Sequence, residues 1–203
     1  MQPAYRAAWV PDDNTGRPWG EASALAVEWI ERECAEQAVR PVLVLNSHNT
    51  PNPELAGAAG VFHRTTPGSK MGNLPAGPHP VYAYVPTTKA LDLAIRLAGG
   101  SSLVVVETDS YPVARWAQQV GAVDLTRPDV EPAPLDPRLT EAVERLKTYR
   151  DISRMSDRKQ ATVVLRGLRA QGLLDPDVLP GVLAANGFSE RSITAFAKLI
   201  ASL

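Results

Sequence analysis

The sequence predicts an α/β fold: an open, mostly parallel sheet with flanking helices, followed by a small C-terminal helical module. Three observations carry that expectation. Short runs of β-branched and leucine residues alternate with amphipathic segments up to residue 125, and strands separated by helices of about 10–15 residues imply parallel crossovers. The stretch "TRPDVEPAPLDPR" (126–138) then breaks every period with four prolines and reads as a linker. Beyond it only helical patterns follow. The expected organisation is a sheet domain over 1–125, a Pro-rich linker over 126–137 and a basic helical module over 138–203.

Each element has its own signal. "YRAAWV" (5–10) predicts a short strand, and "EASALAVEWIERECAEQ" (21–37) a helix with Leu25, Trp29 and Cys34 near one face. "PVLVLN" (41–46) is nearly all apolar, as a strand buried on both faces should be, and "GVFHRT" (60–65) is a weaker strand. "PVYAYV" (80–85) leads into "TKALDLAIRLA" (88–98), a helix with Leu91, Ile95 and Ala98 in line. "SLVVVE" (102–107) is the clearest strand. "YPVARWAQQVG" (111–121) predicts a short helix with Pro112 in its first turn and Gly121 beyond its end, and "AVDL" (122–125) a last short strand. Helical patterns then cover roughly 138–152, 157–171, 176–186 and 189–202, the last three separated by "QGLLDPD" and "NGFS". Val163, Leu165 and Leu168 are expected to pack the second of these helices.

Composition narrows the class. The 203 residues are 44% hydrophobic and 21% charged, enough for a sizeable core and an ordinary polar surface. The longest apolar run, near "SLVVV", falls far below the ~20 residues of a membrane helix, so no membrane partner is expected. "MQPAYRAAWVPDD" has no basic segment followed by an apolar stretch, hence no secretory signal. A single cysteine, Cys34, excludes a disulfide framework and a thiolate zinc site and fits a reducing cytoplasm. Cys34 reads as a packing residue, and Trp9, Trp19, Trp29 and Trp116 mostly as core candidates; Trp19, beside Gly16, Pro18 and Gly20, is the one to watch for an exposed role.

Charge is divided along the chain. Residues 1–131 carry ten Lys or Arg against fourteen Asp or Glu, whereas residues 132–203 carry eleven against eight. Arg150, Arg154, Arg158, Lys159, Arg166 and Arg169 dominate the middle of the helical module. Such a strip supplies the sequence-independent, salt-sensitive part of nucleic-acid affinity; equally, it serves as a solvated face or pairs with the acidic sheet domain.

The loop "HRTTPGSKMGNLPAGPHP" (63–80) holds four prolines and three glycines. Its order Gly68-Ser69-Lys70, followed by Pro75, Pro78 and Pro80, forbids the helix a Walker loop requires. No G-x-G-x-x-G turn follows a strand either. His48, His63 and His79 are spaced by 15 and 16 residues, without the helix-borne pairing of a metal site, so no metal is expected.

Parallel sheets bind ligands outside the carboxyl ends of their strands. There the sequence places His48, then Ser69 and Lys70, then Thr87, Thr88 and Lys89 at a helix start, then Glu107 and Asp109. The threonines, with Ser69, Lys70 and Lys89, suit a phosphate; His48, Glu107 and Asp109 are the acid–base candidates. Thr87 or Thr88, and Asp109 or Ser110, are also where helix N-caps belong.

"VPTTKALDLAIRLA" (85–98) resembles the strand-to-helix junction of RecA-like helicase domains over about a dozen residues. No ATP-binding or acidic metal motif accompanies it, so kinship would imply a domain without ATPase chemistry. "VLPGVLAANGFSERSITAFAKLIASL" (178–203) resembles a helix-turn-helix, with Gly187 in the turn, Ile193 and Phe196 on the buried face of the second helix and Val182 in the first. Asn186 and Leu183 depart from that pattern. The resemblance implies a reading helix whose cations are Arg191 and Lys198.

Taken together, the expectation is a nucleic-acid-associated binding protein acting through Arg150, Arg154, Arg158, Lys159, Arg166, Arg169 and Arg191. The alternatives are a nucleotide- or sugar-phosphate-processing enzyme with its site at the strand ends, and a structural subunit docking a partner protein. No cofactor is specified.

Overall fold

The computed structural model describes residues 5–49, 61–69, 74, 76–131, 136–149, 152, 154–176 and 179–203, with the backbone alone at 181, 184, 185 and 190. Its centre is a six-stranded parallel sheet of β1 (Arg6–Val10), β2 (Val42–Val44), β3 (His63–Thr65), β4 (Val81–Tyr84), β5 (Ser102–Val106) and β6 (Val123–Asp124). Their spatial order is β3-β2-β4-β5-β1-β6. The central pairings are long: Arg6 to Val10 run beside Ser102 to Val106, and Val81 to Tyr84 beside Leu103 to Val106. Every residue of β2, β4 and β5 is buried, which is why these strands read as continuous apolar runs rather than alternating ones.

Helices cover both faces. On one lies α1 (Trp19–Gln37), packed on Val10, Leu43, Tyr82 and Val104. Its buried face is Ala22, Ser23, Ala26, Trp29, Ile30 and Glu33. The face expected from Leu25, Trp29 and Cys34 is thus rotated: only Trp29 is fully covered, and Leu25 and Cys34 sit at its margin. Small residues were the missed signal, because alanines let the helix approach the sheet closely. Glu33 stays buried by pairing with Arg6 at 3.0 Å.

The other face carries α2 (Thr88–Leu97) and α3 (Ala114–Val120), whose Leu91, Ala94, Trp116 and Ala117 meet Val81, Ala83, Leu103 and Val105. Thr87 caps α2, its hydroxyl accepting the Ala90 N–H at 3.4 Å. Gly121 ends α3 in the left-handed region at φ 64°. Pro112 lies before α3 rather than in its first turn, and neither Asp109 nor Ser110 caps it; the N-cap position is Val113.

Outside this layer sit α4 (Pro137–Lys147), α5 (Met155–Ala170), α6 (Leu179–Ala185) and α7 (Glu190–Ala201). They share an apolar cluster centred on Leu146, Leu165, Leu179, Val182, Phe188 and Phe196, with the two phenylalanine rings edge to face at 5.7 Å. α6 rests on α2 and α3, and Ile95 of α2 joins the cluster. Asp136 caps α4 through the Arg138 N–H at 2.9 Å, and Ser189 caps α7 through the Ser192 N–H at 3.2 Å. Val163 is 60% exposed, contrary to expectation; Val164 takes its place beside Leu165 and Leu168. In the α6–α7 hairpin Gly187 takes φ 75°, with Val182, Ile193 and Phe196 buried as the helix-turn-helix likeness implied. Among the described residues no helix is long and apolar enough to cross a membrane.

Candidate functional site at the carboxyl edge of the sheet

The chain leaves β1 toward α1 on one face and leaves the adjacent β5 toward α3 on the other. Neighbouring strands whose connections depart to opposite faces open a crevice at their carboxyl ends, where ligands of open α/β sheets bind. Here Glu107 fills that crevice with structure. One carboxylate oxygen accepts the backbone N–H groups of Val113 and Ala114, the latter at 2.9 Å, and the other accepts the Asp12 N–H at 3.2 Å. A single side chain therefore ties together the ends of β1 and β5 and the start of α3, doing for α3 what Asp109 or Ser110 was expected to do. Burial pushes the Glu107 carboxyl above its ordinary range, against the opposing pull of its three N–H donors, with the Asp12 charge adding to the rise. Asp109, expected to share acid–base work with it, is exposed and anchored: its N–H donates to Asp12 Oδ2 at 2.8 Å.

Beside this clasp lies a cup of about 440 Å³ between the β4–α2 junction, the β5–α3 junction and the entry to α6. Thr88, Asp109 and Ser110 give it three polar groups, and Tyr111, Leu91 and prolines from three segments form its apolar walls. That size and mixture suit a small molecule. Of the described members of the expected phosphate set, only Thr88 lines it. Thr87 is occupied in capping, Lys89 is exposed and not among the lining residues, and Lys70 lies outside the described residues. No cation is among the described lining residues.

The strand behind the cup is held by Asn46, a residue the sequence reading passed over. Its Nδ2 donates to the Val85 carbonyl at 2.9 Å, and its Oδ1 accepts the Thr87 N–H at 2.7 Å. Val85 between them has φ 40°, a left-handed backbone that a β-branched residue adopts only at a cost of roughly 1–3 kcal/mol. A polar residue closing an otherwise apolar strand was the available signal.

At the ends of β2 and β3, His48 and Ser69 come together, 2.9 Å apart. The other two histidines do not join them in a metal set: His63 lies on β3, His79 is buried, and no cluster of three or more His, Cys, Asp or Glu able to hold a metal occurs among the described residues.

The basic residues are all exposed where described. Arg154 takes the N-cap position of α5; Arg158, Lys159, Arg166 and Arg169 lie along that helix; Arg191 lies on α7; Arg150 falls outside the described residues. At about 100° per residue, the four on α5 fall within an arc of roughly 100° that begins beside Leu165 and runs away from the buried Ala161, Val164 and Leu168. Asp157, the one acidic residue of α5, projects near the packed side instead. A groove of about 310 Å³ between α4 and α5 adjoins the arc, with Arg138, Arg145 and Gln171 on its walls and Ala142, Val164 and Leu168 below. None of the family models, curated proteins or solved structures compared with the chain matches it.

Proposed function

We propose that the protein associates with nucleic acid through the outward face of α5, with Arg158, Lys159, Arg166 and Arg169 contacting phosphates. Arg154 at the helix entrance, Arg191 on α7 and Arg145 across the α4–α5 groove extend the same positive surface. One observation carries this reading: four exposed cations share a single helical arc, and none makes an ion pair among the described residues. A solvated helix face ordinarily interleaves both signs; this one does not. Acidic side chains of the sheet domain have cations of their own, Asp13 pairing with Arg17 and Arg127 and Glu33 with Arg6.

The test is fluorescence anisotropy of labelled single- and double-stranded DNA and RNA across a salt series. Four phosphate contacts give a log–log salt slope of roughly −3 to −4 on duplex DNA. Replacing Arg158, Arg166 and Arg169 by alanine should flatten it to about −1. Absence of binding at low salt overturns the proposal, and a partner protein with an acidic face becomes the better occupant.

The cup beside Asp109 favours a second reading, a small-molecule site at the strand ends. Its lining suits a neutral or cationic ligand better than a phosphate, because Asp109 is the charge it offers. A thermal-shift series of nucleosides, nucleotides and sugar phosphates separates the two chemistries: stabilisation by nucleosides but not by their phosphates supports this lining argument, and the reverse refutes it.

A further inference from the structure

We propose that Ser69 and His48 form a nucleophile and general-base pair able to cleave an acyl ester, a site independent of the basic face of α5. The pair is brought together by the fold rather than by sequence, because the two residues follow β2 and β3, adjacent parallel strands. Ser69 Oγ lies 2.9 Å from His48 Nε2 and 3.0 Å from Thr66 Oγ1, and it accepts the Thr66 N–H at 3.0 Å. The Ser69 N–H donates in turn to the Thr66 carbonyl at 3.0 Å. The turn Thr66-Pro67-Gly68-Ser69 is thereby closed at both ends, and it fixes where Oγ stands.

A serine hydroxyl has one proton and two lone pairs. With His48 neutral and protonated on Nδ1, the Thr66 N–H and hydroxyl fill both lone pairs of Ser69, and its proton points at His48 Nε2. All three contacts are satisfied at once, and this is the arrangement in which an imidazole activates a hydroxyl. A turn alone needs the Thr66–Ser69 bonds; it does not need an imidazole from a neighbouring strand. His48 is exposed and Ser69 half-buried, so a substrate can reach both.

In the reaction Ser69 Oγ adds to the acyl carbon while its proton passes to His48 Nε2. The C–O bond to the leaving alkoxide breaks, and that oxygen takes the proton from Nε2, leaving an acyl-serine. Water then adds to the same carbon and gives a proton to His48. The bond to Ser69 breaks, Oγ recovers the proton, and the carboxylic acid departs. No oxidant or reductant is involved.

The experiment treats the full-length protein with a fluorophosphonate probe, which loses fluoride to an activated serine, and follows adduct formation by mass spectrometry. Trypsin releases residues 65–70 as a single peptide, so the adduct is assigned directly. We expect labelling of Ser69 in the folded protein, none in Ser69→Ala, and a rate at least a hundredfold lower in His48→Gln, in keeping with the 10²–10⁴-fold worth of general-base catalysis. Circular dichroism of each variant confirms that the fold persists. Should His48→Gln fail to fold, protein unfolded in urea serves as the reference and should also label at least a hundredfold more slowly. No adduct on the 65–70 peptide, or equal rates in the folded protein and in either reference, overturns the proposal.

Discussion

Glu107 sets two forces against each other, and replacing it decides which prevails. Glu107→Ala leaves the N–H groups of Asp12, Val113 and Ala114 without their acceptor at the junction of β1, β5 and α3. At roughly 1–1.5 kcal/mol for each bond lost in a part-buried setting, the expected destabilisation is about 3–4 kcal/mol. For a chain of this length that lowers Tm by roughly 10 °C. Glu107→Gln keeps an acceptor for α3 but turns an amide N–H₂ toward the Asp12 N–H, so about a third to a half of that loss is expected. The pH dependence is the sharper test. Burial raises the folded-state pKa of Glu107 above its ordinary value, so over that interval the folded state holds a proton the unfolded state has released. Its contribution is then full below the ordinary glutamate range near pH ~4.3 and is lost as pH rises through the folded value. Urea titrations of wild type and Glu107→Gln should therefore show a stability gap that narrows from about pH 4 upward. A gap that widens with pH would mean that the three N–H donors outweigh burial, and the reasoning would be refuted.

Three further outcomes are expected. Asn46→Ala removes both bonds that hold Val85 at its positive φ, at a cost of about 2 kcal/mol by chemical denaturation; Asn46→Asp should cost more, because a carboxylate oxygen then faces the Val85 carbonyl, and a smaller loss would count against the clamp. Phe196→Ala opens the cluster beneath the α6–α7 hairpin and should cost about 3–5 kcal/mol, with a loss below 1 kcal/mol excluding Phe196 as a core anchor. Cys34 has its thiol pushed up to about 11 by burial, with the Glu31 and Glu33 charges adding to it. At pH 8 a disulfide reagent should modify it roughly a hundredfold more slowly than the same cysteine in unfolded protein, and equal rates would refute that environment.

Local chemistry made most of the fold legible in the sequence. Strands buried on both faces must be apolar throughout, and "SLVVV" and "PVLVL" said so without help from their neighbours. Thr87, Gly121 and the stretch "NGFS" announced helix boundaries because a cap is satisfied by atoms within one turn. Failures came where the deciding partner lay far along the chain. Leu25 outranks Ala26 in hydrophobicity, yet the sheet takes Ala26 because it permits closer approach. Asp109 and Ser110 look like caps for α3, yet Glu107 reaches the same N–H groups from the end of β5.

The candidate sites divide along the same line. The basic strip could be read from the sequence, since helical periodicity alone places Arg158, Lys159, Arg166 and Arg169 on one side. The structure added that Asp157 lies off that arc and that Val163 is exposed beside it. The cup and the Ser69–His48 pair had no such local signal: Thr88, Asp109 and Pro180 belong to three different segments, and Ser69 stands 21 residues from His48. Sequence determines whatever is settled by neighbours three or four positions away, because backbone geometry fixes their spacing. Which strand ends meet depends on the sheet order β3-β2-β4-β5-β1-β6, a consequence of burying every apolar face at once that only the tertiary structure decides.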